Sequence, residues 1–130
     1  MESDQQLVHP DELLARFILY SRYIRQDNTV RPDAFIPHPY PNLSVTRRLE
    51  LNDEQLRDIG ILIAAQSEKA LHGRADIVAK IITDLSLSIE LVPLTYNPNH
   101  ANITGWPPEK SAQKSIAQQI TASKPSTIRY

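Results

Sequence analysis

The side chains best equipped for chemistry fall into three short strings. The densest is Tyr96-Asn97-Pro98-Asn99-His100-Ala101-Asn102-Ile103-Thr104-Gly105-Trp106-Pro107-Pro108, which holds the chain's single tryptophan and one of its three glycines. Read as a strand, it sets His100, Asn102 and Thr104 on one face and Ala101, Ile103 and Gly105 on the other. Such a polar face suits ligand contact, with His100 as a general acid–base, Asn102 as an orienting donor and Trp106 beside them. The competing reading is a hairpin whose outer face is simply wet and whose Trp106 caps the core.

The second string is Leu71-His72-Gly73-Arg74-Ala75-Asp76. Gly73 lets backbone amides approach an anion, Arg74 offers a fork for phosphate or carboxylate, and His72 is a second candidate acid–base. Asp76 would share a strand face with Arg74, so a plain surface pair worth about 0–1 kcal/mol is the alternative. The third string is Ser44-Val45-Thr46-Arg47-Arg48. If Arg47 shares a face with Val45 it points inward and needs a partner, either a carboxylate or an anionic ligand. Arg47, Arg74 and His100 would form an anion site if they converged on one cleft, and nothing in their spacing requires that.

Other chemistry is excluded. With no cysteine, there is no disulfide, thiolate metal site or cysteine nucleophile. The four histidines (His9, His38, His72, His100) include no pair at i, i+4, so no metal site is expected, and no cofactor either. Glycines at 60, 73 and 105 cannot build a phosphate loop, and no GxSxG elbow occurs. A net charge of −1, from 14 basic and 15 acidic residues, argues against a broad nucleic-acid surface and favours a small anionic ligand. Met1 to Pro10 lacks the basic and apolar regions of a secretory signal, and runs such as Gly60 to Ala65 are too short to span a bilayer. The expectation is a cytoplasmic protein with no membrane association.

These strings must be positioned by one domain, since 130 residues at 41% hydrophobic composition support one modest core. The pattern predicts a flexible N-terminus over 1–10, a single domain over 11–122 and a flexible tail over 123–130. Pro10, Asp11 and Glu12 suit a helix start, and Leu13, Leu14, Phe17 and Ile18 predict a helix over 11–25. Pro32, Pro37, Pro39 and Pro41 then impose an extended arm. A short strand follows at 43–49. Asn52 with Gln55 marks a capped helix running to about 66. Residues 74–84 read as a short strand and a short helical piece, with one helix over 75–84 as the competitor. The alternation Leu85, Leu87, Ile89, Leu91 predicts a strand that pairs with 100–106 as a hairpin. Pro107 and Pro108 open a last helix. This order predicts an α+β fold: a small, mainly antiparallel sheet with about three helices packed on one face.

The strings Phe35-Ile36-Pro37, Leu43-Ser44-Val45-x-Arg47, Leu71-His72-Gly73-Arg74-Ala75-Asp76-Ile77 and Asn99-His100-Ala101-Asn102-Ile103-x-Gly105-Trp106-Pro107 resemble those of an uncharacterised group of small bacterial single-domain proteins. The resemblance spans most of residues 17–122. It implies a bacterial single domain and carries no activity, cofactor or site residue.

Two functions fit the residues. One is a non-catalytic binding or adaptor module docking onto a larger protein through the arm Arg31 to Pro41, with Val30, Phe35 and Tyr40 as contacts. The other is a small anion- or nucleotide-binding domain, extending to hydrolase or transferase chemistry, with Arg47 and Arg74 as forks, His72 or His100 as acid–base and Asn102 as donor. Whether the chain is an enzyme stays open at this point.

Overall fold

Residues 13–18 read Leu-Leu-Ala-Arg-Phe-Ile, with one polar position in six. A strand buried on both faces needs such a run. In the computed structural model, which describes residues 8–130, these residues form strand β1 (Leu13–Ile18) inside a six-stranded sheet. This corrects the helix expected over 11–25. Leu13, Leu14, Phe17 and Ile18 fit a helical stripe, but a short apolar run fits a two-sided strand equally well, and tertiary burial decides between them. A 3-10 turn at Ser21–Tyr23 follows.

The remaining elements are β2 (Leu43–Arg47), α1 (Asp53–Gln66), β3 (Gly73–Val78), α2 (Ala79–Asp84), β4 (Ser88–Leu91), β5 (His100–Thr104), α3 (Lys110–Ala122) and β6 (Ser126–Arg129). The strand order is β4-β5-β2-β1-β3-β6 and every neighbouring pair is antiparallel. The α+β class, the α1 helix, the strand with its short helix at 73–84 and the β4–β5 hairpin match the sequence reading. The α1 start carries the expected capping box: Asn52 Oδ1 accepts from Gln55 N at 2.8 Å and Gln55 Oε1 accepts from Asn52 N at 2.9 Å.

Strand alternation divides the core in two. Leu14 and Ile18 join Leu43, Val45, Ala75, Ile77, Ala101 and Ile103 on one face, under Ala117 and Ile120 of α3, with Ala79 and Ile82 of α2 and Phe35 of the arm. Ala15 and Phe17 face the other way, onto Leu56 of α1. The helices therefore cover both faces, not the single face expected. Central strands with apolar side chains on both sides require cover on both sides.

The tail expected to be loose at 123–130 is also corrected. It contains β6, whose Ile128 pairs with Arg74 along the outer edge of β3. Gly73 permits this approach, because the Ile128 carbonyl and Ile24 Cδ1 occupy the space a Cβ would need. Residues 1–7 of the expected flexible N-terminus lie outside the described residues. Pro10 is anchored, its carbonyl accepting from Lys80 N at 2.9 Å. Among the described residues no helix is long and apolar enough to cross a membrane.

Candidate functional site

The three predicted strings occupy different parts of the sheet. Arg74 is fully buried on the α1 face, where Nε donates to Asp76 Oδ1 (3.1 Å), Nη2 to Asp53 Oδ1 (2.7 Å) and Nη1 to the Tyr130 hydroxyl (2.7 Å). Burial pulls its pKa down, but the hydrogen bonds to Asp53, Asp76 and Tyr130 outweigh burial and hold it above its ordinary value. In return, the bond and charge of Arg74 hold the Asp53 carboxyl below its usual range. The pairing anticipated with Asp76 thus exists, not as a surface pair but as the buried part of a network whose Asp53 side chain reaches the surface.

Arg47 points inward as its alternation predicts. It forms a bidentate pair with Glu12, at 2.6 and 2.8 Å, both side chains nearly buried at 5% and 6% exposure. Its register partner Leu14 places it on the face opposite Arg74. His100 and Asn102 lie on the Arg74 face, but β2 and β1 separate β5 from β3. Three interstrand spacings amount to roughly 14 Å. His72 is anchored at the far end of β1, with its N–H donating to Ile18 O at 2.9 Å. Trp106 donates from Nε1 to Ile103 O at 2.9 Å and borders a depression of about 340 Å³ with His38, Tyr40 and Pro107. The structure therefore does not gather Arg47, Arg74 and His100 into one cleft, and both arginines are committed to carboxylates.

A different arginine occupies a cleft. Strands β1 and β2 pair only at Leu14↔Arg47 and Ala15↔Thr46, while β2 continues against β5 as far as Leu43↔Ile103. Beyond Ala15 the two strands part. Arg16 enters the gap: Nε donates to Ala34 O at 2.8 Å and Nη1 to Ser44 O at 3.0 Å. Among the described residues no carboxylate lies within 4 Å of this guanidinium, in contrast to Arg47, Arg48 and Arg74. Its other N–H groups have no protein partner among those residues.

The cleft over Arg16 encloses about 350 Å³, the low end of the range for small-molecule sites, and its walls include Phe17, Tyr20, Tyr23, Tyr40 and Ser44. Burial pushes the Arg16 pKa down to about 10, partly offset by Tyr23, so the side chain stays charged at neutral pH. The Tyr20 and Tyr23 rings lie 5.0 Å apart at 53°, and Arg22 sits over both at 4.9 and 5.1 Å. Lys69 Nζ stands 5.0 Å from the Tyr20 ring. Asp33 contributes the acidic group of the wall. A larger depression of about 570 Å³ lies between the 25–30 turn and the end of α3, but its guanidinium, Arg25, bonds Thr29 Oγ1 and the Val30 carbonyl.

The sequence reading missed Arg16 because a helix over 11–25 turns it toward solvent. One signal was present: an arginine inside the run Leu14-Ala15-Arg16-Phe17-Ile18 has nowhere polar to go once that run is a central strand. No protein family, curated protein or solved structure matches the chain.

Proposed function

We propose that the chain is a binding domain that seats a small aromatic anion, a ring carrying a carboxylate or phosphate, over Arg16. The observation that supports this is a half-buried guanidinium held by two backbone carbonyls, its remaining N–H groups open to the cleft and no carboxylate beside it. Partial burial of such a charge without a counter-ion carries a desolvation cost, and a planar oxyanion arriving in the cleft supplies the counter-ion. The tyrosine walls select a ring, and Arg22 and Lys69, 4.9 and 5.0 Å from the Tyr20 ring, add positive charge beside that wall.

Calorimetric titration with phenyl phosphate and with inorganic phosphate tests the reading. Phenyl phosphate binds more tightly than phosphate, and Arg16→Met weakens it by 10-fold or more, the loss of one charge-assisted hydrogen bond at about 1.5–3 kcal/mol. Absence of binding to the wild-type chain, or equal binding to Arg16→Met, defeats it.

A second reading places a larger protein partner on the 31–41 arm. Tyr40, 71% exposed between the two depressions, favours it. A complex recovered from the native host and lost in Tyr40→Ser would support that docking, whereas a strictly monomeric protein without a partner would oppose it.

A further inference from the structure

Ser44 is exposed at the same cleft, and its hydroxyl lies 2.7 Å from Nε2 of His100. The other ring nitrogen, Nδ1, is 2.8 Å from the Val92 carbonyl oxygen. A carbonyl only accepts, so Nδ1 carries the hydrogen; in the neutral ring Nε2 is then a lone-pair acceptor and Ser44 donates to it. Nucleophile, base and orienting group thus stand in line, as an activated serine requires. The β2–β5 register sets Asn102 directly across from Ser44 on the same sheet face. Facing residues lie roughly 5 Å apart at Cα, so the Asn102 carboxamide is within reach of an oxygen on a carbon bonded to Ser44 Oγ. The plain alternative is a cross-strand Ser–His hydrogen bond, which ties β5 to β2 and leaves Ser44 as inert as any surface serine.

We propose that Ser44 is the nucleophile of an acyl-transfer reaction on a carboxylic ester whose anionic portion Arg16 holds, a step that rests on the binding reading above. Ser44 Oγ attacks the ester carbon and its proton passes to His100 Nε2. The resulting imidazolium keeps its Nδ1–H on Val92. The oxyanion accepts from Asn102 Nδ2. The bond to the leaving oxygen then breaks, that oxygen takes the Nε2 proton, and an acyl-Ser44 ester and a free alcohol result. Water repeats the sequence from the other side, giving up a proton to Nε2, releasing the acid and returning the proton to Ser44.

A fluorophosphonate probe reads the nucleophile directly, because serine displaces fluoride and keeps the phosphonyl group. Peptide mapping by mass spectrometry is expected to find that group on Ser44. Ser44→Ala abolishes labelling, His100→Gln slows it by about 100-fold or more, and Asn102→Ala slows it by roughly 100-fold. An unlabelled wild-type chain, or labelling that persists in Ser44→Ala, overturns the proposal. Ser44→Ala removes one hydroxyl at an exposed position and leaves His100 its bond to the Val92 carbonyl, so it decides the matter even if His100→Gln melts early. Phenyl phosphate titration of Ser44→Ala separates the two ideas: binding retained without wild-type labelling removes the chemistry and keeps the cleft, while labelling without binding does the reverse.

Discussion

A guanidinium withdrawn from water must find oxygen atoms to replace the water it loses. Arg74 finds Asp53, Asp76 and Tyr130, Arg47 finds Glu12, and Arg16 finds two carbonyl oxygens. The first two arrangements are internally neutralised and serve packing. Arg74→Met is therefore expected to strand the Asp76 carboxylate, whose side chain is 2% exposed, with Arg48 at 3.4 Å as its remaining cation. Breaking a buried pair from one side costs about 3–5 kcal/mol, which urea unfolding would read as a lowered midpoint. Asp53 makes the same network sensitive to acid. Its folded pKa lies below the unfolded value, so its contribution is complete above the ordinary carboxylate range and is lost as pH falls through the folded value. The stability gap between wild type and Asp53→Asn should accordingly be widest near pH 6 and narrow toward pH 3. A gap that ignores pH would mean that the carboxylate charge is irrelevant.

The elements differ in how openly their residues announce them. The α1 start was legible because Asn52, Asp53, Glu54 and Gln55 act within one turn, and capping is local chemistry. The β4–β5 hairpin was legible because Ser88 and Glu90 alternate with Ile89 and Leu91, the signature of one wet face. Strand β1 was not, because burial on both faces erases alternation and leaves a run compatible with either period. Strand β6 was not legible either, since Ser126-Thr127-Ile128-Arg129 gains its order from the β3 edge, not from its own pattern. The same distinction governs the site: the inward turn of Arg47 and the polar face of His100 and Asn102 follow from alternation, whereas the cleft depends on where β1 and β2 part. The β6 dependence gives a sharp expectation for Gly73→Ala. A Cβ there meets the Ile128 backbone, which no rotamer change relieves. The variant should lose about 1–3 kcal/mol and lose exchange protection at Tyr130, whose N–H donates to His72 O at 2.9 Å.

At the scale of the whole molecule, the sheet is held on two sides by different devices. The α3 face is an apolar core, while the α1 face combines a small apolar cluster with the Arg74 network. Between them, where β1 leaves β2, the 31–41 arm closes over Arg16 through Ala34, whose carbonyl takes the Nε bond. A counter-ion in that cleft bears on β1, β2 and the arm together, so its binding should stabilise the global fold. A ligand that binds only the native state adds RT ln(1 + [L]/Kd), about 2.7 kcal/mol at one hundred times Kd. For a chain of this length, that is a rise in melting temperature of about 10 °C. Phenyl phosphate should produce this rise in the wild-type chain, growing with the logarithm of its concentration, and Arg16→Met should abolish it. Sodium chloride at matched ionic strength should give a small shift common to both proteins, because screening and salt exclusion act on the whole surface and not on one guanidinium. If the salt control reproduces the phenyl phosphate shift, the stabilisation comes from the solvent and the cleft is not its source.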